Sequence, residues 1–553
     1  MPQDRLRTLF DYDAQRIPTV FLSPPSIMPV VMLCGSDHEM GFQYGQQAAA
    51  YIDVMKDTSW ASVLEDQEPA EVRESLRRLS EYAERYTPWA LEQMQGICEG
   101  AASAGYEISF DDVLVINCVP KKLGANAMRD PGVHEESLRV QEGCSVFAAW
   151  GAATADGRLV FGDSKDSVFN HQVAIVAFPR RGHNFTMTVR AGELGEHMAM
   201  NNRGLYIGTG LNPANREIDL GYGLHKAFSL QHMLRFADDA CQAKDMFQSW
   251  EFPTATNLTF ADTRGNAFVA ERTAAADPVR KPGDFGERDF IYSTNNVLTG
   301  EMKAAVQGTR FVDHAGWVVK GSAIPRSVEV WNMLENYHGQ IDADFVTMMW
   351  RFNDDPDPLS LSRGSFVVEQ HQKICHHENM RVAVGLPDDG DKGVVHICTG
   401  PARRMLHPPT PRHRDCFQIA GTHTFFELSL ASDPVSVVRA ARNKAHDRLA
   451  EADFESMRLK YSDSAYPVLA AIQSQATAEY YDGVQAYNRG CLSEGNERLL
   501  EFARAATALT RCQAHARQVT EALVDPPTKP TDLSLQQYGG PWGKWAAPAG
   551  LPV

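Results

Sequence analysis

Cys144 is the residue of this chain best placed to do chemistry. It lies in Gly143-Cys144-Ser145-Val146-Phe147-Ala148-Ala149-Trp150, ahead of a turn at Asp156-Gly157 and the string Gly162-Asp163-Ser164-Lys165-Asp166. A small residue, a cysteine and a run of strand formers, directly after a polar loop, suggest a cysteine that becomes a new N-terminus. Cutting Gly143–Cys144 puts nucleophile and base on one residue. The thiol attacks a carbonyl, and the freed α-amine shuttles the proton. An α-amino group titrates near pH ~8, close to working pH, and so suits that task without special tuning. This logic reads as amide or acyl chemistry. Taken alone, Cys144 is a buried strand cysteine, the commonest state of the residue.

Such a residue needs elements to hold it. Pro29 to Cys34 reads as a short buried strand, and Ser36 with Glu39 forms a capping box for a helix running to about Val54. Val72, Leu76, Leu79, Ala83 and Tyr86 recur at helical spacing, Pro88 breaks or restarts the run, and a second helix covers Leu91 to Ala101. Residues 120–143 are polar and aperiodic, an exposed loop leading to Cys144.

From 144 to about 400 the period shifts toward strands. Hairpins are predicted across Asp156-Gly157, Asn201 to Gly204, Asp262 to Gly265, and the Asp/Gly-rich turn between Met380–Val384 and Val394–Cys398. Val173 to Phe178 reads as a buried strand, and helical stretches fall near 228–249 and 325–350. Hairpins interleaved with helices predict an α+β protein with antiparallel sheets and helices packed outside. Beyond about 420 the pattern is helical over 437–450, 464–487 and 495–523, and the tail 526–553 is rich in Pro and Gly.

The 553 residues suggest two or three units by length alone. A formal charge of −17 argues against general nucleic-acid binding. Ten cysteines without paired spacing point to a reducing compartment. With no apolar signal core and no spanning stretch, the expected location is cytoplasmic, with no membrane partner. Phosphate-loop, dinucleotide, His-Glu-x-x-His and Gly-x-Ser-x-Gly strings are absent, so no cofactor is expected. His371, Cys375, His376 and His377 are metal-type ligands at short spacing, but no second cysteine pair completes a zinc ribbon, and no metal is expected.

In order and spacing, several strings together resemble the acyl-coenzyme A:6-aminopenicillanic acid acyltransferase family of N-terminal nucleophile hydrolases. They are Gly143-Cys144-Ser145, Thr154-Ala155-Asp156-Gly157-Arg158-Leu159, Gly162 with Asp166, Leu33 to Ser36 through Gly41 to Gly45, Gln95 to Ala101, Ser293 to Asn296, Ile374 to His376, and Thr399 to Pro401. The match spans roughly 30–402. The resemblance implies a four-layer αββα fold, self-cleavage before Cys144, and two chains, 1–143 and 144–553. The expected organisation is an N-terminal helical segment (1–143), a catalytic core (144–420), a helical extension (421–525) and the tail (526–553). The extension could serve as a dimer surface or a lid, or its apolar faces could be ordinary core.

The resemblance also implies site residues. Gly143 and Cys144 form the cleavage site. Asp166 orients the α-amine or contacts the leaving side of the substrate, the hairpin return bringing it near. Asn295 is the candidate oxyanion donor and Asn212 a weaker one; Arg326 takes the place of a substrate- or aspartate-pairing arginine. The family's Gly-Arg-Asn-x-Asp is here Gly162-Asp163-Ser164-Lys165-Asp166. If Asp163 faces the pocket, the substrate is cationic or amine-bearing. The expected activity is hydrolysis of a small linear amide through a Cys144 thioester. The alternatives are an acyltransferase, using acyl-coenzyme A or an amide donor, and an unprocessed binding protein.

Overall fold

The computed structural model describes residues 27–64, 68–118, 143–166, 171–211, 222–253, 255–305, 323–351, 374–375, 379–400, 402, 424–459 and 466–521. Asn212, His371, His376, His377, the loop before Gly143 and the tail lie outside them.

Strand β1 (Val30–Gly35) enters helix α1 (Asp37–Leu64) through the expected capping box. The Ser36 amide donates to Glu39 Oε2 at 2.7 Å, and the Glu39 amide to Ser36 Oγ at 3.3 Å. The helix continues ten residues past Val54, because Met55, Ser59 and Val63 stay on its buried face at four-residue spacing. Then come α2 (Pro69–Tyr86), α3 (Pro88–Ser103) and α4 (Phe110–Cys118). Pro88 restarts the chain at the first turn of α3, where its missing N–H leaves no bond unmade.

Helices α1 and α3 cross on glycines. A Cβ at Gly41 would lie 2.0 Å from Gln93 O, and one at Gly100 would lie 1.9 Å from Phe42 O. Backbone sits against backbone, and no side chain can rotate away. We expect Gly100→Ala to lower stability by about 1–3 kcal/mol, as overpacking of a close-packed contact does. An unchanged denaturation midpoint would contradict this contact.

The middle of the chain supplies β2 (Gly143–Ala149), β3 (Val160–Asp166), β4 (Gln172–Pro179), β5 (Phe185–Arg190), β6 (His197–Asn201) and β7 (Leu205–Leu211). Next are α5 (Lys226–Phe236), α6 (Ala240–Ser249), β8 (Thr256–Asp262), β9 (Ala267–Arg272), β10 (Val279–Arg280) and β11 (Phe290–Ser293). Then follow α7 (Gly300–Ala305), α8 (Ala323–Asn336), α9 (Ala343–Met349), β12 (Asn379–Leu386), β13 (Val394–Thr399) and β14 (Phe426–Ser429). The expected hairpins all form, with the β2 and β3 strands reaching past their predicted ends to Gly143 and Asp166.

Two sheets result, ordered β1-β4-β5-β6-β7-β8-β9-β10 and β11-β2-β3-β12-β13-β14. Pairing is antiparallel except for β1 with β4. Alternate side chains of the strands divide the interior. Val31, Leu33, Val173 and Ile175 cluster with α1 to α6. Met32, Ala174 and Val176 cluster with Phe161, Ala383 and Ile397 of the other sheet. Phe147, Val160 and Val382 cluster with α8 and α9. That split follows from the two-residue period of strand side chains.

The last helices are α10 (Pro434–Leu459), α11 (Tyr466–Leu492) and α12 (Gly495–Glu521). Their apolar faces join the cluster shared by the two sheets. Helix α12 also covers the outer strands. Thr507 Oγ1 accepts from the Val30 amide of β1 at 2.9 Å, and Gln513 Oε1 accepts from the Glu427 amide of β14 at 2.8 Å. Unpaired edge groups are thereby satisfied. No helix among the described residues is long and apolar enough to cross a membrane.

Candidate active site

The β2–β3 hairpin sets the register of the site. Gly143 pairs with Asp166 and Cys144 with Lys165, so the expected approach of Asp166 to the Gly143–Cys144 peptide follows from the turn. Side chains of directly paired residues share a face. Cys144 is fully buried in the uncut chain.

Three expected residues, Asn295, Arg326 and Asp166, meet at this peptide. The Cys144 amide donates to Asn295 Oδ1 at 2.8 Å. Arg326, near the start of α8, donates through Nη2 to the same oxygen at 2.7 Å and through Nη1 to Ser145 Oγ at 2.8 Å. It also donates to the Cys144 carbonyl, and its Nη1 lies 3.7 Å from Asp166 Oδ2. Asn379 donates to Asp166 Oδ1 at 2.6 Å. A Cβ on Gly143 would come within 2.7 Å of Asp166 Oδ2 and 3.1 Å of Arg326 Nη2, so any side chain there must push these groups aside. Arg326 thus lies within ion-pair distance of Asp166 and also bonds the backbone of Cys144. Asn295, the expected oxyanion donor, here accepts hydrogen bonds through its oxygen.

Asp163 is fully buried, as Cys144 is, and both its oxygens have protein partners. Arg381 Nη1 donates to Oδ1 at 2.8 Å, Tyr206 Oη donates to Oδ2 at 3.1 Å, and the Met198 amide donates to Oδ2 at 3.3 Å. Burial opposes its ionisation, but Arg381 and His197 outweigh it and hold the carboxyl below its ordinary range.

His197 is the residue that sequence reasoning missed. Its Nε2 lies 3.5 Å from Cys144 Sγ, and its Nδ1 lies 3.6 Å from Asp163 Oδ1, just outside hydrogen-bond length. A bulge aims it. Thr188 pairs with His197 and Thr186 with Met200, leaving Met198 and Ala199 opposite one residue. Met198 adopts a φ of 45°, a conformation that non-glycine residues rarely take. The only local signal was a polar Glu196-His197 pair opening an apolar strand.

Around the thiol lies a buried charge cluster. Lys165 Nζ is 3.1 Å from Glu196 Oε1, and Arg190 Nε is 3.5 Å from the same oxygen. Burial opposes the Glu196 charge, but Lys165, Arg190 and Lys226 overcome it and hold its pKa well down. Burial pushes the Cys144 thiol up to about 11, with Lys165 opposing, and pushes His197 down to about 4, with Asp163 opposing. At neutral pH the contact therefore joins a neutral thiol to a neutral imidazole. Cys375 is buried, and no group of three or more metal-type side chains gathers among the described residues.

No family model matches the chain. An uncharacterized protein of Archaeoglobus fulgidus is 31% identical over 225 residues, 38% of this chain; the chain spans 37% of that relative's length. Among solved structures, penicillin V acylase from Agrobacterium tumefaciens is similar with a TM-score of 0.25 at 10% identity, covering 46% of this chain and 83% of its own. A mutant of conjugated bile acid hydrolase from Clostridium perfringens gives 0.28 at 14% identity, covering 46% and 89%. At these scores the likenesses carry no argument about the chemistry of this chain.

Proposed function

We propose that this chain is a self-processing amidohydrolase of the N-terminal nucleophile kind, built on a four-layer αββα fold. The observation that carries the reading is the convergence of Asn295, Arg326 and Asp166 on the Gly143–Cys144 peptide. Three buried polar side chains, from β3, from α8 and from the segment after β11, meet at this one peptide bond. The partition of the interior into three large clusters, with one small one beside them, supports the four layers.

On this reading, cutting the peptide turns the Cys144 amide into a free α-amine that Asn295 Oδ1 continues to hold. Release of Gly143 from its place opposite Asp166 uncovers the thiol. The α-amine takes the thiol proton, the sulfur adds to the substrate carbonyl, and the ammonium returns the proton to the departing amine. Water then hydrolyses the thioester. The substrate is a small linear amide, and the 1–143 and 144–553 chains remain together through the α1–α4 cluster.

The test is turnover of a panel of N-acyl amines with acid-quenched mass spectrometry. Amine release with an acyl adduct on Cys144, both absent in Cys144→Ala, is the expected result. Hydrolysis that persists in Cys144→Ala would remove Cys144 from the chemistry.

A further inference from the structure

Before the cut there is no α-amine. The Cys144 nitrogen is a peptide amide donating to Asn295, so it cannot take a proton from its own thiol. Self-cleavage therefore needs another base. We infer that His197, oriented by Asp163, is the base that takes the Cys144 thiol proton in the chain's own cleavage. This inference rests on the self-processing reading above and names the group that starts it.

The geometry singles out this imidazole. Its Nε2 touches Sγ at 3.5 Å. Asp166 is turned to Gly143 and held by Asn379 at 2.6 Å, and Lys165 is engaged by Glu196 at 3.1 Å. With Asp163 facing Nδ1 at 3.6 Å, the neutral ring carries its proton there and presents a bare Nε2 to the thiol. That contact shortens to a hydrogen bond as positive charge grows on the ring, since catalytic bonds are often long in the resting state. Asp163 is itself fixed by Arg381 and Tyr206, so the orienting carboxylate cannot turn away. The other charged groups around the ring are Lys165 of β3, Glu196 beside it and Lys226 of α5. Burial, helped by the lysines and opposed by Asp163, disfavours a resting imidazolium, so the ring stays neutral, able to accept, through the physiological range.

The step balances without a further reactant until water enters. Sγ bonds to the Gly143 carbonyl carbon as its proton passes to Nε2. The tetrahedral oxyanion collapses, the Gly143 C–N bond breaks, and the imidazolium returns the proton to the departing nitrogen. This leaves a Gly143 thioester on Cys144 and a free α-amine. Water hydrolyses the thioester to the Gly143 carboxylate and the thiol.

The experiment follows cleavage of pulse-labelled full-length chain made by cell-free translation, for wild type and His197→Gln, between pH 6 and 8. Wild type is expected to cleave at a nearly constant rate, because the imidazole is neutral throughout. His197→Gln should be about 100-fold slower at pH 7, the typical worth of a positioned base. Its rate should rise about tenfold per pH unit, as thiolate chemistry requires with the pKa far above the pH. Added hydroxylamine should not release fragments from the stalled variant, since no thioester has formed. A variant cleaving at the wild-type rate, or releasing fragments with hydroxylamine, overturns the role of His197. So does a wild-type rate rising tenfold per pH unit, an arm that needs no variant to fold. A wild type that never cleaves removes the self-processing reading itself and this step with it; a cleaving wild type beside an unaffected variant removes only this step.

Discussion

Wild-type protein, denatured and weighed intact, should resolve into chains of 143 and 410 residues (553 − 143), whereas Cys144→Ala should remain a single chain of 553. Alanine keeps the strand and its packing but has no nucleophile, so the loss should be complete. Gly143→Ala provides a subtler check with the thiol intact. Its Cβ would press on Asp166 Oδ2 at 2.7 Å and on Arg326 Nη2 at 3.1 Å. Either the carboxylate and guanidinium or the scissile carbonyl must shift, and misplacement on the order of 1 Å can cost about 100-fold. Cleavage slowed by that order, in a variant with near-normal stability, is the expected outcome. An uncut wild type would leave Cys144 without an α-amine and move the interpretation to an unprocessed binding protein.

Asp163→Asn should destabilise the protein by about 3–5 kcal/mol, the usual cost of leaving a buried charge without its partner. The charge left behind is Arg381, which is fully buried; its Nε and Nη2 have no hydrogen-bond partner among the described residues. Adding Arg381→Met should recover part of the loss, because removing both charges takes away the desolvation problem. The pH dependence has a definite sign. The folded pKa of Asp163 lies below its ordinary value, so the stability it contributes is complete above the unfolded pKa of about 4 and is lost as pH falls through the folded one. The gap between wild type and Asp163→Asn in urea midpoint should therefore be wide at pH 7 and close in acid. A gap that stays constant down to the acid limit would mean that Asp163 is not held ionised by Arg381. The same variant should slow self-cleavage if the carboxylate orients His197, which ties a stability measurement to a chemical one.

Several parts of this protein were legible without coordinates because they are local. The Ser36–Glu39 box joins residues three apart. The Asp156-Gly157 turn dictates that the strands beside it pair, and that pairing alone brings Asp166 opposite Gly143. Alternating and helical apolar periods located the four expected hairpins and the three C-terminal helices but not the β4–β5 hairpin, since burial on one face leaves its period in the sequence. The cysteine after a glycine was visible for the same reason, being a string of adjacent residues.

What only the tertiary structure decided is how the distant polar groups divide the work. Arg381 reaches Asp163 across 218 residues, Arg326 reaches the Cys144 carbonyl across 182, and His197 reaches Cys144 across 53. No spacing rule encodes such meetings, which depend on the stacking of two sheets and on one bulge that turns His197 inward. Sequence could not say which partners Asp163 meets, because they come from other strands. A buried carboxylate must find partners within the protein, and the chain places them on β6, β7 and β12. The Gly143-Cys144 string was thus written in local sequence, whereas the polar network around it exists only once long-range packing brings the two sheets together.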